Sequence, residues 1–216
     1  MGLCAPSTTF ASNRHFSLPH PTPQPIPSLV AQSKIIGAGE IHSAIERLAT
    51  AIVESHGAGA NRLLILGIAN GGIEVARRLS ARLSAIEPQL SFVVGTIDIS
   101  FHRDDISSNP NPKEFAPTHI PADVNGATVV LVDDVLYSGR TVKAALNEVF
   151  DHGRPTKVEL AILVDRGGRR LPVAANYCGL TVTAEDTEKV VVNLDGAHPK
   201  NDQIRIEPTA NRNAAI

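Results

Sequence analysis

From residue 39 onward, segments with apolar residues at helical spacing alternate with short continuous apolar runs. The helical segments can bury one face, whereas the continuous runs suit strands that are buried on both faces. Strands that alternate with helices form a parallel sheet with right-handed crossovers, so we expect an α/β fold with a central, mostly parallel sheet flanked by helices. The predicted helices are 39–57, 71–85 and 140–153, and the predicted strands are 62–68, 91–101, 128–134, 157–166 and 188–194.

Three segments fall outside this alternation. Residues 102–121 are polar and rich in Pro and Asn, and a connection of that length inside a domain is typical of a functional flap or of disorder. Residues 1–33 contain no acid and show no apolar period, which predicts a disordered, Pro-rich N-terminal tail. The folded domain is then expected over 34–207, with a disordered C-terminal tail over 208–216.

Composition narrows the choice of core and of partner. The chain has 216 residues, 43% hydrophobic but only 4% aromatic, so aliphatic side chains must fill the core of one domain. A formal net charge of -2 gives no overall attraction to nucleic acid. Cys4 and Cys178 lie far apart and form no disulfide framework, which favours a cytoplasmic location. No apolar stretch approaches the ~18 residues needed to span a membrane.

Residues 129–141 read VVLVDDVLYSGRT and carry the chemistry. In a parallel sheet, ligands bind where strands end and helices begin, and the N–H groups at a helix start attract anions. Gly139 allows close backbone approach and Ser138 adds a hydroxyl, so this turn suits a phosphate. Asp133 and Asp134 would repel a phosphate but accept hydrogen bonds from sugar hydroxyls. Together these features predict a site for a phosphorylated sugar.

Three other interpretations of the chain's polar and glycine motifs are less specific, excluded or disfavoured. Two adjacent acids before a helix often serve only as a helix cap, although the whole string is far more specific than a bare Asp-Asp. A Walker P-loop is excluded, since no GxxxxGK[ST] occurs. A dinucleotide-binding fold is disfavoured because the GxG patterns at 37–39 and 57–59 do not follow predicted strands.

The string at 129–141 resembles the phosphoribosyl-pyrophosphate (PRPP) motif of type I phosphoribosyltransferases. Three further segments extend the resemblance to one family, the bifunctional pyrimidine-operon attenuation regulators that are also uracil phosphoribosyltransferases. These segments are DISFHRDDIS (98–107), HGRPTKVELAILVDRGGRRLP (152–172) and EKVVV (188–192). The resemblance runs from about residue 34 to about residue 194 and implies the type I phosphoribosyltransferase fold, with a flexible loop over the active site.

The resemblance implies that uracil displaces pyrophosphate from PRPP to give UMP, with Mg²⁺ as helper. Asp133 and Asp134 would be catalytic and hold the ribose hydroxyls. Mg²⁺ would be bound through PRPP, with Asp133 as the one candidate protein ligand. The 5′-phosphate would be bound by Val135, Leu136, Tyr137, Ser138, Gly139, Arg140 and Thr141.

The remaining predicted contacts come from four other segments. Asn70 and Gly71 follow the first strand and would bind pyrophosphate through the backbone, although the family often has Thr-Arg-Gly where this chain has Asn-Gly-Gly. Arg103, in the long loop, would contact phosphate. Arg166 and Val190 would lie near the base or nucleotide.

The resemblance also implies binding of pyr messenger RNA and association into homodimers or larger homo-oligomers. The first predicted helix supplies Arg47 but also Glu46 and Glu54, so it makes a weak basic surface. Arg169 and Arg170 are open to two interpretations, a basic RNA face or solvated charges. The alternatives that stay open are an RNA-binding regulator with weak catalysis, a ligand sensor without catalysis and, less favoured, a purine phosphoribosyltransferase.

Overall fold

A computed structural model describes residues 29–31, 35–57, 62–102 and 117–209. Within these ranges the chain forms nine strands and three α-helices, with short 3-10 helices at Ser100–His102 and Pro199–Asn201. The order is β1 (Leu29–Ala31), β2 (Ile35–Gly37), α1 (Ala38–His56), β3 (Leu63–Ile68), α2 (Gly71–Ile86), β4 (Phe92–Ile97), β5 (Thr128–Leu136), α3 (Arg140–His152), β6 (Lys157–Asp165), β7 (Tyr177–Val182), β8 (Glu188–Asn193) and β9 (Gln203–Pro208).

The main sheet has six strands in the order β1-β7-β6-β5-β3-β4, and every pair is parallel. The predicted parallel α/β sheet is therefore confirmed. Every residue of β3 is buried, as its continuous apolar run predicts for a strand covered on both faces. Because side chains alternate along a strand, Leu63 and Ile65 enter one core cluster while Leu64 and Leu66 enter the other.

Two cores on the two faces of this sheet make three layers. Helices α1 and α2 cover one face, where Leu48 and Leu79 are fully buried with Ile65. Helix α3 covers the other face through Val142 and Val149. Apolar burial on both faces leaves the carboxyl ends of the strands as the edge where polar groups can gather.

A second, smaller sheet consists of three antiparallel strands in the order β2-β9-β8. The strand predicted at 188–194 is confirmed as β8, but it pairs with β9 rather than joining the parallel sheet. The physical reason is that β8 is only partly buried along its length, as expected for a strand with one face toward solvent. The small sheet packs on the α1–α2 side of the molecule, where Val190, Val192 and Ile206 contact the core.

The chain ends differ from the prediction of disordered tails. Residues Leu29–Ala31, inside the predicted tail 1–33, form β1 and pair with the edge strand β7. A strand that pairs at a sheet edge does so through its free backbone groups, so three such residues need no apolar period in the sequence. Pro208 still belongs to β9, and the N–H of Thr209 donates to the Thr187 carbonyl at 2.6 Å. The other tail residues lie outside the described ranges.

The predicted loop 102–121 is described only at its two ends. Residues 103–116, which include the predicted phosphate contact Arg103, lie outside the described residues. The far end is fixed, because His119 exchanges two backbone hydrogen bonds of 2.9 Å with Thr96 of β4. In the described part of the chain, no helix combines the length and apolarity that a membrane crossing requires.

Candidate active site

The predicted phosphate loop lies at the junction of β5 and α3. Strand β5 continues two residues further than predicted, so Val135 and Leu136 pair with β6 rather than forming the loop. The Leu136 side chain is buried in the core, which restricts this residue to backbone contacts with a ligand. The turn itself is residues 137–139, and Arg140 and Thr141 form the first turn of α3.

Gly139 fixes the geometry of this turn. Its φ of 91° lies in the left-handed region, which a residue with a side chain adopts at a cost. A Cβ there would also stand 2.5 Å from the Val173 side chain. Gly139 is the N-cap residue of α3 and has no side chain to cap the helix, and the N–H of Arg140 donates to the Ser138 hydroxyl at 3.3 Å. A helix start of this kind is suited to binding an anion.

The two carboxylates do not lie on the same side of β5. Asp134 lines the cleft described below, whereas Asp133 is 6% exposed and does not. The difference follows from strand geometry, since successive side chains point to opposite faces. Backbone N–H groups orient both carboxylates: Asp134 donates to Asp133 at 3.0 Å, and Val135 donates to Asp134 at 2.7 Å. Of the two predicted catalytic carboxylates, Asp134 is therefore the one that lines the cleft.

Asn70 and Gly71 join Asp134 at the start of α2. The Ala69–Asn70 peptide is cis, and the Ala69 N–H donates to the Ile97 carbonyl at 2.8 Å. A Cβ at residue 71 would overlap the Asp134 carboxylate. An arginine at position 71 would therefore require Asp134 to move, which gives a physical reason for glycine where the family often has arginine.

A cleft of about 430 Å³ separates the main sheet from the small sheet. The main-sheet wall contains Asn70, Gly71, Glu74 and Asp134, and the opposite wall contains Val192, Asn193, Leu194, Asp195 and Asn201. Among these, only Asn70, Gly71 and Asp134 were predicted as site residues. Val190, the predicted base contact, packs against the core and does not line the cleft. Asn193 at the end of β8 and Asp195 just after it are polar residues at a strand end, and this was the feature of the sequence that could have predicted the opposite wall.

Glu74 adds a second carboxylate to the main-sheet wall. Hydrogen bonds from Arg77 at 2.7 Å lower the pKa of Glu74, partial burial opposes this, and Arg78 lowers the pKa further. Glu74 is thus held in its charged form beside Asp134. Both carboxylate oxygens of Glu74 accept hydrogen bonds from Arg77, and Oε1 also accepts one from Arg78, so its charge is balanced within α2. Asp134 is the cleft carboxylate that suits Mg²⁺, an ion that prefers oxygen ligands. The sequence did not predict Glu74 as a site residue, because it lies one helical turn inside α2 and not at the turn between strand and helix.

Arg166 connects the phosphate loop to the small sheet instead of entering the cleft. Its guanidinium donates to the carbonyls of Glu188 at 3.0 Å and Glu185 at 3.1 Å. It also stacks on the Tyr137 ring at 3.9 Å from the ring centroid. Arg166 is 8% exposed. The structure thus places this predicted base-binding residue between Tyr137 and the loop before β8, where it holds both.

Arg169 holds the phosphate loop from the other side, and sequence reasoning missed this role. Its Nη1 donates to the carbonyls of Leu136 at 3.2 Å and Tyr137 at 2.9 Å. Its Nη2 pairs with Asp165, and its Nε donates to Val173 at 3.2 Å. The interpretation of Arg169 as a solvated or RNA-binding charge is therefore wrong. All three guanidinium nitrogens of Arg169 donate to groups of the protein itself, and the Leu136 and Tyr137 carbonyls of the phosphate loop are among the acceptors.

Arg78 performs the corresponding task for the opposite wall. It extends from α2 to pair with the buried Asp202 carboxylate, and its Nη2 donates to the Asp195 carbonyl at 2.8 Å. Asp202 in turn accepts the Asp195 N–H at 2.8 Å. The residues at the mouth of the cleft are therefore held by a nearly buried ion pair between the helix that starts at Gly71 and the small sheet.

Comparison with known proteins places this geometry in a family. The phosphoribosyl transferase domain family matches residues 36–195. A protein of Enterococcus faecalis named bifunctional protein pyrR is 38% identical over 164 residues, covering 76% of this chain and 90% of the relative. The PyrR of Chloroflexus aurantiacus is 37% identical over 180 residues, covering 83% and 98%, and that of a Roseiflexus species is 42% identical over 166 residues, covering 76% and 89%.

Among solved structures, the hypoxanthine phosphoribosyltransferase of Trypanosoma cruzi superposes with a TM-score of 0.60 at 19% identity, covering 82% of this chain and 98% of that one. An identity that low shows a shared fold, and it confirms the predicted type I phosphoribosyltransferase architecture. The predicted enzyme class and family are likewise confirmed by the family match and the PyrR relatives. The roles given to individual site residues remain predictions. The chain belongs to the phosphoribosyl transferase family and, within it, to the bifunctional PyrR proteins.

Proposed function

We propose that this protein transfers the phosphoribosyl group of PRPP to uracil, giving UMP and pyrophosphate, with Mg²⁺ bound together with PRPP. The observation that carries the proposal is that one strand end supplies both an anion-binding helix start and a cleft carboxylate. The helix start at Gly139 suits the 5′-phosphate, and Asp134 suits the ribose. The neighbouring loop at Asn70 and Gly71 suits pyrophosphate.

In this proposal the protein acts by positioning and charge. Asp134, oriented by the Val135 N–H at 2.7 Å, accepts a hydrogen bond from a ribose hydroxyl and stabilises positive charge that develops on the ring. Mg²⁺ would be held mainly through PRPP near the leaving pyrophosphate, where the ion would neutralise negative charge, and Asp134 is the cleft carboxylate that could approach it. Asp133, buried on the other face of β5, accepts a hydrogen bond from the Asp134 backbone N–H at 3.0 Å and so helps to fix the Asp134 backbone.

Uracil is proposed to lie in the cleft between Asp134 and the segment 192–195. Peptide groups in that segment can match the alternating donors and acceptors on the uracil edge. The test is formation of UMP and pyrophosphate from PRPP, uracil and Mg²⁺, with orotate, hypoxanthine and no base as controls. Turnover with uracil alone supports the proposal. Turnover with hypoxanthine instead, or with no base, contradicts it.

We also propose the second activity that the resemblance implies, UMP-dependent binding of pyr messenger RNA. Two of the arginines that the sequence offers for an RNA-binding surface are engaged within the protein. Arg47 donates to the Gly179 carbonyl at 2.8 Å, and Arg169 donates to carbonyls of the phosphate loop. These guanidinium groups stabilise the fold, so RNA contacts would have to come from other residues. Filter binding of a pyr leader RNA with and without UMP, at two salt concentrations, tests this activity. Association into a homo-oligomer and a cytoplasmic location stay predictions.

A further inference from the structure

A second group of polar side chains lies away from the cleft. His102 ends the 3-10 helix after β4, and Glu148 and Asp151 lie near the end of α3. One ligand atom from each of these three residues lies within 4.8 Å of the other two. In the described ranges, no other group of three or more His, Cys, Asp or Glu residues meets that condition. None of the three lines the cleft.

Helix spacing adds a fourth candidate. Residues 148, 151 and 152 stand at positions i, i+3 and i+4, so their side chains share one face of α3. His152 approaches Glu148, with Nε2 and Oε1 at 3.3 Å. The group thus offers two imidazoles and two carboxylates from two separate elements.

The distances suit coordination of one ion. His102 Nε2 lies 3.0 Å from Glu148 Oε2 and 3.2 Å from Asp151 Oδ2. Ligand atoms that surround a tetrahedral ion at ~2.1 Å stand roughly 3.4 Å apart. The observed separations are close to that value, so an ion could enter with small rotations of the exposed Asp151 and half-exposed His152 side chains.

Charge and orientation favour a divalent ion at this position. Glu148 and Asp151 together bring two negative charges, which one divalent ion would balance. Thr118 Oγ1 donates to Glu148 Oε1 at 2.7 Å, which orients the carboxylate from outside the group. Mixed imidazole and carboxylate ligands select zinc-like ions over Mg²⁺ or Ca²⁺, which prefer oxygen alone.

We propose that His102, Glu148 and Asp151, with His152 as fourth ligand, form a binding site for a divalent transition metal such as Zn²⁺. The ion would link residue 102 to helix α3, which begins at the phosphate loop. The site is separate from the proposed Mg²⁺ position beside Asp134, and it does not depend on the proposed reaction.

The test uses the full chain freed of metal by chelation. Calorimetry with Zn²⁺ and the visible absorption of four-coordinate Co²⁺ are measured in excess Mg²⁺. We expect one equivalent of Zn²⁺ to bind, and we expect His102→Ala and the exposed-site variant Asp151→Asn each to weaken binding at least ~10-fold. His42→Ala, which removes an exposed histidine of α1, is the matched control and keeps full affinity.

Two results would overturn the site. One is the absence of any saturable Zn²⁺ or Co²⁺ binding by the unaltered chain. The other is equal affinity in His102→Ala, Asp151→Asn and His42→Ala, which would place the ion elsewhere. Because Asp151 is 68% exposed at its side chain, its substitution is expected to leave folding intact, so lost binding in that variant reports on the site itself.

Discussion

The two walls of the cleft are built in different ways. On the main-sheet side, Asp134 and the adjoining phosphate loop come from one continuous segment, 128–141, in which strand, turn and helix follow directly. The rest of that wall, Asn70, Gly71 and Glu74, comes from the start of α2. The opposite wall belongs to the small sheet, whose three strands come from both ends of the described chain and from 188–193. The first wall is fixed by local backbone geometry, whereas the second is held in place by long-range contacts of Arg78 and Arg166. Substitutions should therefore separate the two walls.

The largest effect is expected at Arg78. Replacing it with Met keeps much of the side-chain volume but leaves Asp202, which is 3% exposed, as a buried charge without its partner. Removing one partner of a buried ion pair costs about 3–5 kcal/mol, so we expect the free energy of unfolding to fall by that amount. Urea unfolding followed by circular dichroism measures the change.

Arg77→Met is the matched control for this prediction. Arg77 neighbours Arg78 on α2, but among the described residues its ion pair is with Glu74 alone, and its side chain is 56% exposed. An exposed pair contributes little, so the loss should stay below about 1 kcal/mol. Equal destabilisation by the two substitutions would show that the ion pair with Asp202 does not hold the opposite wall.

The next effect concerns Glu159, which lies near the start of β6, at the end of the parallel sheet opposite the cleft. Burial opposes ionisation of Glu159, but hydrogen bonds from His56 at 2.7 Å and from Lys157 outweigh it and hold its pKa at about 2 instead of 4.5. A lowered pKa stabilises the fold above pH 4.5, and this contribution, of order 3 kcal/mol, is lost as the pH falls from 4.5 toward 2.

Glu159→Gln isolates this contribution from that of the other carboxylates. The free energy of unfolding of the variant and of the unaltered chain is compared at pH 6, 4 and 3. We expect a large gap at pH 6 that narrows as the pH falls. We expect kcat to be unchanged, because Glu159 pairs in register with Val130 near the start of β5, whereas Asp134 lies toward the other end of that strand. A gap that stays constant between pH 6 and pH 3 would contradict the lowered pKa.

The main-sheet wall was also the predictable part of the site. Residues 128–153 carry a buried strand, two acids, a small-residue turn and a helix in unbroken order, so local patterns sufficed to predict β5, α3 and Asp134. The extent of β5 was misjudged by two residues, because Val135 and Leu136 pair with β6 in a register that no local pattern expresses. The local pattern also did not show which of Asp133 and Asp134 faces the cleft.

The opposite wall could not be predicted in the same way. Strand β2 has only three residues, and the alternation in β9 is limited to Ile204 and Ile206, so neither gives a strong local signal. The two strands pair antiparallel across most of the chain length, which no local pattern expresses. Arg78 and Arg166 look in the sequence like ordinary solvent-exposed or ligand-binding charges. Their roles depend on carbonyls and a carboxylate brought near only by folding, for example Asp202 and Glu188.

A smaller effect in free energy is expected for Asp134→Asn, which acts on the main-sheet wall alone. The amide keeps the shape of the side chain but removes the charge that faces the cleft, so turnover should fall at least tenfold, or about 1.4 kcal/mol. Stability should change little. Steady-state rates of UMP formation measure this, and Asp186→Asn, at an exposed position, is the control. Unchanged kinetics in Asp134→Asn would contradict its assigned role.

The smallest effect is expected for Arg169→Lys, which tests how firmly the phosphate loop is held. Lysine keeps the charge near Asp165 but loses the fork that reaches the carbonyls of Leu136 and Tyr137 together. We expect KM for PRPP to rise roughly threefold to fivefold, less than 1 kcal/mol, with kcat nearly constant, since under the proposed function the loop would bind the 5′-phosphate equally before and during reaction. Arg170→Lys, at an exposed neighbour, is the control. If Arg169→Lys left KM unchanged, or changed it no more than Arg170→Lys, the Arg169 fork would not hold the loop, and the loop would owe its shape to Gly139 and the β5–α3 junction.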